Sequence, residues 1–371
     1  MTDNSHNREM LLVAMELSNS KWRLAFSAGD KVRHKVIEAR KRCRFLDEVQ
    51  QAKEKLGLSA GVPVLCCYEA GRDGFWIYRW LKSEGIGCLV VDPASIEVNR
   101  RKRRAKTDRL DAESLVRLLQ RYQGGDRYVW SVVHVPDEQQ EDELRLHREL
   151  ERLKKERTAH RCRIKSLLIL HGISVTGVLT RLDQELDNLV CWNGQPLPEA
   201  LRSELHRESA RLSQVNEQIK SLEKQKLGKL KAPQTNADLQ AAELIRLNGV
   251  GEVSAWVLAK EFFGWRDFKN RREVGALSGL TPTPYDSGGS RKEQGISKAG
   301  SPRVRRVMIE LAWSWVRFQP ESELTKWFER RFAHGSARMR RVGITALARK
   351  LLVALWKYVE FGTVPEGAII R

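Results

Sequence analysis

Residues 11–37 read LLVAMELSNSKWRLAFSAGDKVRHKVI, and this stretch decides the fold of the first part of the chain. The run Leu11 to Met15 is wholly apolar, which is typical of a buried strand. Trp22 to Phe26 and Val32 to Ile37 are two further strand candidates, and Gly29-Asp30 between them is a turn signal. The stretch therefore predicts a three-stranded antiparallel meander.

Helices and strands alternate after the meander. A helical stretch at Phe45 to Leu56 precedes a second buried strand at Val62 to Tyr68. An aromatic-rich helix at Phe75 to Ser83 precedes a third buried strand at Cys88 to Val91, and a helix from Asp108 to Gln120 closes the region. Three strands followed by helix–strand–helix–strand–helix form the element order of the ribonuclease-H-type fold, although other α/β folds share pieces of it.

The middle of the chain is dominated by charged residues and has a coiled-coil pattern. Apolar residues recur at heptad spacing, at Leu205, Leu212 and Ile219, with Val215 and Leu222 in the alternate positions. Leu144 to Leu170 is a candidate partner helix, and Trp192 to Pro198 is the candidate turn. The pattern predicts a long helical hairpin that serves for spacing or dimerisation, or a simple antiparallel bundle inside one chain.

These changes of character divide the chain into three expected domains, with an α/β class followed by an α class. We expect an α/β catalytic domain over residues 9–130, a coiled coil over residues 137–232 and a mostly helical domain over residues 238–362. The six cysteines form no Cys-x-x-Cys pair and the eight histidines are scattered, which disfavours a structural zinc site.

The chain carries 66 Lys and Arg against 47 Asp and Glu, a formal charge of +19. Such an excess repels itself in a compact fold, so it indicates a polyanionic partner, and we expect nucleic acid. Apolar runs stay below the roughly 18 residues of a membrane span, and the polar N-terminus lacks the apolar core of a signal peptide. We therefore expect a cytoplasmic protein with no membrane partner.

Four acids stand at the ends of the expected elements of the first domain. Glu16 ends the first strand, Glu69 ends the second buried strand, and Asp108 and Asp111 lie on one face of the closing helix. Carboxylates that converge in this way are the hard oxygen ligands that Mg²⁺ or Mn²⁺ prefers. Two such ions would serve phosphoryl transfer. Alternatively, Asp108 or Thr107 caps the helix and the two glutamates are exposed strand ends.

A run of six cations in seven residues comes directly before these helical acids. It lies where substrate phosphates would have to arrive, so we expect it to contact nucleic acid in a salt-dependent way, although such runs are often solvated tails. Its members are Arg100, Arg101, Lys102, Arg103, Arg104 and Lys106.

The C-terminal domain offers two glycine-rich features. Gly249-Val250-Gly251 resembles a helix-hairpin-helix turn, whose backbone N–H groups hold a phosphate, but a plain glycine-terminated helix end fits as well. Ser287 lies in a glycine-rich loop and is a candidate nucleophile. Ser301-Pro302 then starts a helix, where a bound phosphate would offset the crowded positive charge. The expected cationic contacts around this loop are Arg291, Lys292, Lys298, Arg303, Arg305 and Arg306.

Together these residues resemble the transposases of the insertion-sequence 110 type, also called DEDD transposases, and their 1111-type subgroup. In the first half the resemblance rests on residues 15–21 (MELSNSK), 68–71 (YEAG) and 106–112 (KTDRLDA). In the second half it rests on residues 249–251 (GVG), 277–282 (LSGLTP), 285–288 (YDSG) and 297–300 (SKAG).

The resemblance implies a RuvC-type, ribonuclease-H-like domain, a coiled-coil linker and a C-terminal transposase domain. It implies that Glu16, Glu69, Asp108 and Asp111 bind the metal and that Ser287 forms a covalent link to DNA. It also implies a structured guide RNA that pairs with target and donor DNA, and dimers that join into a tetramer. The acids of one subunit would complete the serine site of another.

Two points qualify the expected chemistry. The first acid of the family is usually Asp, whereas this chain has Glu16, which is one methylene longer and alters the geometry of metal binding. The main alternative is a metal-dependent nuclease or junction resolvase, which would use water and would not need Ser287. A nucleic-acid-binding protein without catalysis, in which the acids act only as helix caps, is the second alternative.

Overall fold

The computed structural model describes residues 10–97, 108–175, 186–287 and 290–371. Side chains are described within these ranges except at residues 108–109, 286–287 and 290–293. The chain folds as two compact units, Met1–Val135 and Pro136–Arg371. No helix in the described ranges is long and apolar enough to span a membrane.

The first unit is built on a five-stranded mixed sheet. Its strands are β1 (Leu11–Leu17), β2 (Lys21–Ser27), β3 (Val32–Glu38), β4 (Val64–Glu69) and β5 (Gly87–Val91). The spatial order is β3-β2-β1-β4-β5. Strand β2 runs antiparallel to both β1 and β3, whereas β4 runs parallel to both β1 and β5. The predicted meander and the two later strands are therefore confirmed.

Helices cover both faces of this sheet. Helices α1 (Arg42–Lys55) and α2 (Trp76–Ser83) lie on the face to which Val13 and Met15 contribute, and α3 (Asp108–Gln123) lies on the opposite face. Because both faces are buried, β1 needs apolar side chains in both directions, which explains its unbroken apolar run. A mixed α/β sheet followed by a helical region is consistent with a ribonuclease-H-like fold.

The outer edge of the sheet is covered by a segment that the sequence did not indicate. Val132 pairs antiparallel with Val91, and the Val133 N–H donates to the Val90 carbonyl at 2.7 Å. The Asp92 N–H donates in turn to the Ser131 carbonyl at 3.0 Å. This pairing leaves the edge of β5 covered, which limits edge-to-edge association.

The second unit begins with a helical hairpin. After the short α4 (Glu138–Glu143), α5 (Arg145–Ile169) and α6 (Glu199–Lys231) pack antiparallel along each other. The seam is apolar: Leu150 and Leu153 meet Val215 and Ile219 near the base, and Ile164 and Leu168 meet Leu205 and Leu212 further out. The heptad residues Leu205, Leu212, Val215 and Ile219 are thus buried within one chain, and Leu222 is partly buried.

A helical bundle and a two-stranded ribbon complete the second unit. The helices are α7 (Asn236–Arg246), α8 (Glu252–Leu258), α9 (Arg271–Ser278), α10 (Pro302–Phe318), α11 (Glu323–Phe328) and α12 (Ala337–Phe361). Helix α8 continues into a π-helical turn, Ala259–Phe263. The ribbon consists of β6 (Pro282–Ser287) and β7 (Ser290–Ile296). The core of the bundle is formed largely by the apolar faces of α10 and α12.

Candidate functional site

The sheet brings two of the predicted acids side by side. Strands β1 and β4 are parallel neighbours whose last registered pair is Met15 with Tyr68, so Glu16 and Glu69 occupy the next step on each strand. Side chains alternate along strands, and these glutamates therefore belong to the face that α3 covers. Both side chains are half-buried.

Helix α3 carries the other two acids to the same end of the sheet. Its C-terminal turn lies at the opposite end, because the Gln120 Nε2 donates to Ser27 Oγ at 2.8 Å, and Ser27 pairs with Leu12 near the start of β1. The N-terminal turn of α3 therefore lies toward the end of β1 that carries Glu16.

The spacing along α3 directs its acids toward the sheet. Ala112 and Leu115 are buried against the sheet, and positions 108 and 111 stand one turn before them on the same stripe. Asp111 is half-buried, while the Asp108 side chain lies outside the described ones. The fold thus gathers all four predicted positions at one end of one sheet face.

These positions offer oxygen donors of the type that divalent cations prefer. Within the described side chains, no three acidic, His or Cys groups are already close enough together to hold a metal ion. Glu16, Glu69 and Asp111 fit a divalent cation by donor type and lie toward the same end of the sheet, with Asp108 as the fourth predicted ligand.

The predicted basic run lies outside the described residues. Arg100, Arg101, Lys102, Arg103, Arg104 and Lys106 connect the end of the sheet to α3 in the sequence. Their role as nucleic-acid contacts stays a prediction that rests on their position in the sequence, directly before Asp108.

Ser287 is the last residue of strand β6, which corrects the expectation of a glycine-rich loop. It pairs with Ser290 at the tip of the ribbon, and two cationic positions of β7, Arg291 and Lys292, lie opposite Asp286 and Tyr285. The loop was expected from the glycines that follow Ser287, but only two residues separate the strands and the backbones pair.

The base of the ribbon is held by backbone hydrogen bonds between the segments 277–282 (LSGLTP) and 297–301, which includes SKAG. We call this contact the brace. The Lys298 N–H donates to the Gly279 carbonyl at 3.1 Å, and the Ser301 N–H donates to the Leu277 carbonyl at 3.2 Å. A methyl group on Gly300 would collide with the Leu277 carbonyl, and Gly300 has a positive φ of 91°. The strings LSGLTP and SKAG therefore fix the base of the ribbon that carries Ser287.

The helix start after the ribbon is held by an acid from the hairpin. Ser301 caps α10 by accepting from the Val304 N–H, as predicted. Arg303 Nε and Arg306 Nη2 each donate to Glu151 of α5, at 2.7 and 2.8 Å. Burial raises the pKa of Glu151, but these two guanidinium groups outweigh it and the pKa is lowered. The cationic helix start thus has a protein carboxylate as partner.

The remaining predicted contacts flank these residues. Arg305 Nη1 donates to the Lys298 carbonyl at 3.0 Å, and Lys298 is exposed. The turn Gly249-Val250-Gly251 joins α7 to α8, as expected for a turn between helices. The Ser314 Oγ donates to the Gly249 carbonyl at 2.7 Å, which fixes the turn on α10, while Gly251 stays exposed.

An arginine-rich surface at the start of α12 was missed by the sequence reading. Residues 334–342 are all exposed, and within the described residues Arg338, Arg340 and Arg341 form no ion pair. The signal was available: residues 330–359 contain eight Lys and Arg and no Asp or Glu. We call Arg338, Arg340 and Arg341 the α12 arginine surface.

Comparison with known proteins adds two family matches. Residues 241–326 match the model described as the transposase IS116/IS110/IS902 family, and residues 28–172 match a second transposase model, of the DEDD type. The two matches include the ribbon with Ser287 and the helical acids, respectively.

Individual relatives agree with the family models. A putative transposase of Sinorhizobium fredii, y4rJ, is 41% identical over 97% of this chain and 94% of the relative. The transposase for insertion sequence element IS1111A of Coxiella burnetii is 25% identical over 76% of this chain and 72% of the relative. With identity of this level along nearly the whole chain, the chain belongs to the IS116/IS110/IS902 family of transposases.

Proposed function

We propose that this DNA transposase cuts and rejoins target and donor DNA with Ser287 as the nucleophile and a carboxylate-bound metal as its aid. The DEDD family suggests a divalent metal requirement, and we propose Mg²⁺, or Mn²⁺, held by Glu16, Glu69, Asp108 and Asp111. The observation that supports the metal site is the gathering of these positions at one end of one face of the mixed sheet.

The sheet supplies rigidity to the acidic half of the site. Glu16 and Glu69 extend from strands whose other residues are buried in two cores, so their backbones have little freedom to move. A divalent ion bound there would polarise the phosphate and neutralise its charge. The glutamates would orient that ion, and the extra methylene of Glu16 gives it a longer reach than the Asp usual in the family.

The ribbon supplies the covalent half of the site. The Ser287 Oγ would lose its proton and bond to phosphorus, while the bond to the leaving strand oxygen breaks and that oxygen takes up a proton. The reverse step with another strand would rejoin the DNA without ATP, since the phosphodiester bond is conserved. Arg291, Lys292 and Lys298 would offset the developing negative charge, with Arg303, Arg305 and Arg306 close behind.

Partners and assembly follow from the resemblance. We propose that a structured guide RNA pairs with both DNAs, and that the coiled-coil hairpin contributes to a dimer that forms a tetramer in the synaptic complex. Arg100, Arg101, Lys102, Arg103, Arg104 and Lys106 would contact nucleic acid, as would the turn containing Gly249 and Gly251 and the α12 arginine surface. The formal charge of +19 supports this set of contacts.

The test of the serine step compares two neighbouring hydroxyl groups. Protein, the RNA flanking the element, Mg²⁺ and labelled target and donor DNA are incubated, and products are separated with and without protease. Ser287→Ala should remove the protein-linked DNA band, whereas Ser290→Ala, the matched control opposite it on the ribbon, should retain it. Cleavage that persists in Ser287→Ala without a protein-linked band would establish a hydrolytic nuclease instead.

A further inference from the structure

Arg23 stands beside the predicted acids, although the sequence did not mark it as a site residue. It lies on β2, where the antiparallel register places it directly opposite Glu16 of β1. Trp22 and Leu24, which precede and follow it, belong to the core under α1 and α2. Because side chains alternate along a strand, Arg23 belongs to the face that α3 covers, together with Glu16 and Glu69.

One row across this face therefore contains an apolar residue, a cation and two acids. Val36 of β3 is registered with Arg23, Arg23 is registered with Glu16, and Glu69 follows on β4. Directly opposite residues of antiparallel strands have Cβ atoms about 4.5–5.5 Å apart, which long charged side chains can span. Arg23 and Glu16 are both half-buried, so salt screens their charges less than it would at the surface. The sheet itself thus places one cation next to the acids.

Arg23 also lines an open cavity of about 510 Å³ on strands β2 and β3. Val32, His34 and Val36 line the cavity from the same sheet face, and Val36 is 45% exposed. On the α3 side, His34 Nε2 lies 3.4 Å from Glu113. The cavity gives a bound molecule access to Arg23 from the β3 side, with Glu16 one strand further in.

We infer that Arg23 is a further residue of the acid site, which offsets the charge of Glu16 in the free protein and contacts a substrate phosphate when DNA is bound. A guanidinium group suits this role, because its forked N–H donors match the oxygens of a phosphate. A divalent ion at Glu16 would repel Arg23, whereas a phosphate bound to that ion would attract it. Metal and DNA would therefore bind more tightly together than either does alone. The inference rests on the metal site and the DNA binding of the proposed function but not on its serine step.

The first measurement is Mn²⁺ binding to the DNA-free protein at low salt, followed by the electron paramagnetic resonance signal of free Mn²⁺. A positive charge about 6 Å from a divalent ion opposes its binding roughly tenfold even in bulk water. We therefore expect Arg23→Gln to bind Mn²⁺ about three- to tenfold more tightly than the parent. Arg23→Lys, which keeps the charge, should bind as the parent does. A merely structural role would give the opposite sign, because a disturbed site binds metal less well.

Arg117→Gln is the matched control for this measurement. Arg117 is exposed on α3, and its Nη2 donates to the Asp30 carbonyl in the turn between β2 and β3 at 2.9 Å. The turn lies beyond the pair Leu12 and Ser27, at the opposite end of the strands and more than about 13 Å from Glu16. The same loss of charge there should leave Mn²⁺ binding within twofold of the parent. Thermal melting checks folding, and Arg23→Met provides a second neutral variant if Arg23→Gln does not fold.

The second measurement tests the phosphate contact in a Ser287→Ala background, which prevents serine attack. Target duplexes that each carry one neutral methylphosphonate are bound in the presence of the RNA flanking the element and Mg²⁺. At the phosphate that Arg23 contacts, the methylphosphonate should weaken binding by the parent at least fivefold but should change binding by Arg23→Gln less than twofold. Arg117→Gln should lose as much affinity at this position as the parent does.

Two outcomes would overturn the inference. Arg23→Gln that binds Mn²⁺ no more tightly than the parent, while Asp111→Asn abolishes binding, would mean that Arg23 does not offset the acids. A scan in which every methylphosphonate affects the parent and Arg23→Gln equally would mean that Arg23 contacts no phosphate.

Failure of the proposed function gives different results. Mn²⁺ binding that is absent, or that is equal in the parent and Asp111→Asn, would refute the metal site, and the methylphosphonate scan would then decide the role of Arg23. If Ser287→Ala retained DNA cleavage, the serine step would fail, but the Mn²⁺ comparison would still decide this inference.

Discussion

In the first unit, apolar side chains seal both faces of the sheet, whereas in the second unit buried ion pairs fix the helical hairpin to the helices after it. The sheet has Trp22, Phe26 and Tyr68 wholly buried among other apolar side chains. The hairpin meets the bundle instead at two adjacent charged residues of the π-helical turn, Lys260 and Glu261, which are 2% and 5% exposed.

The two residues of the turn hold the hairpin with opposite charges. Lys260 Nζ lies 2.9 Å from Glu143 of α4 and 2.7 Å from Asp238 of α7. Glu261 accepts from Arg148 through both carboxylate oxygens at 2.8 Å, and His147 Nε2 lies 2.7 Å from its Oε1. The hairpin base is therefore clamped on both sides of one short turn.

The two units fix the relative positions of their elements by different interactions. Apolar packing is non-directional and tolerates small shifts, so it suits the sheet, where hydrogen-bonded strands already set the register. Two packed helical bodies have no such register, and paired charges with defined partners can supply it. The clamped junction should therefore respond to pH through the carboxylates that it buries.

The largest loss of stability is expected when one charge of the clamp is removed. Lys260→Ala leaves Asp238 buried without its cation, and we expect a loss of about 3–5 kcal/mol from the free energy of unfolding of the second unit. Calorimetry should show the first unit unchanged, and Lys357→Ala, at an exposed position of α12, should have almost no effect. A loss below about 1 kcal/mol for Lys260→Ala would mean that apolar contacts hold the junction.

The stability of the second unit should also depend on pH through Glu261. Burial raises the pKa of Glu261, but its bonds to Arg148 and His147 outweigh this and lower it from 4.5 to about 2. A lowered folded-state pKa gives stability that is present above the unfolded value and is lost as pH falls from about 4.5 toward 2. The lost stability amounts to about 3 kcal/mol in the second unit.

Denaturant unfolding at pH 7 and pH 3 measures this dependence. Glu261→Gln should reduce the difference between the two pH values for the second unit. The remaining difference would come from the other carboxylates of this unit whose pKa values are lowered, which are Glu151, Glu208, Glu223 and Asp238. Leu24→Ala, in the apolar core of the first unit, should destabilise its unit by the same amount at both pH values, because it removes only apolar contacts. A second unit whose stability in the parent is equal at both pH values would contradict the role of Glu261.

Two glycines, Gly295 in the ribbon and Gly300 in the brace at its base, allow a finer test within the second unit. Gly295 and Gly300 share nearly the same φ, 89° and 91°, but a methyl group meets nothing within 4 Å at Gly295 and collides with the Leu277 carbonyl at Gly300. Both alanine variants acquire backbone strain, so the difference between them reports the brace alone. We expect Gly300→Ala to be less stable than Gly295→Ala by about 1–3 kcal/mol in denaturant unfolding.

The brace also has a functional consequence. Under the proposed function, Gly300→Ala should reduce the protein-linked DNA band far more than Gly295→Ala, because the ribbon that positions Ser287 loses its base. Equal bands for the two variants would show that the ribbon does not depend on the brace.

Much of the first unit could be predicted from the sequence because its signals are local. Apolar runs and turn residues fixed the strands, and the placement of Glu16 and Glu69 at the ends of parallel neighbours followed from the order of elements. The edge pairing of Val132 with Val91 was missed, because nothing in a short irregular segment indicates its partner.

In the second unit the hairpin could be predicted from its heptads, but its attachment to the bundle could not, because the contacts that hold it join distant charged residues. Lys260 and Glu143 are 117 positions apart, and neither has a neighbour in the sequence that distinguishes it from a solvated side chain. The partner of Arg303 and Arg306, Glu151, is equally remote in sequence, so the cations were expected to await a phosphate. Charge pairing leaves no periodic signal of the kind that apolar packing does.

The α12 arginine surface gives the smallest expected change in stability and a distinct change in binding. Ser336 caps α12, so Arg338, Arg340 and Arg341 lie in its first turns, where positive charge opposes the helix dipole. Replacing all three by Gln should therefore raise the free energy of unfolding of the second unit by about 1 kcal/mol.

The same change should weaken duplex DNA binding and make the slope of log K against log salt shallower by about 2–3. Exposed Arg145, Arg152 and Arg207 of the hairpin, replaced together by Gln, provide a control of equal charge. If both triple variants shift the slope equally, net charge alone attracts DNA. If only the α12 variant does so while gaining stability, the arginines of this surface are retained at a stability cost for contact with phosphate.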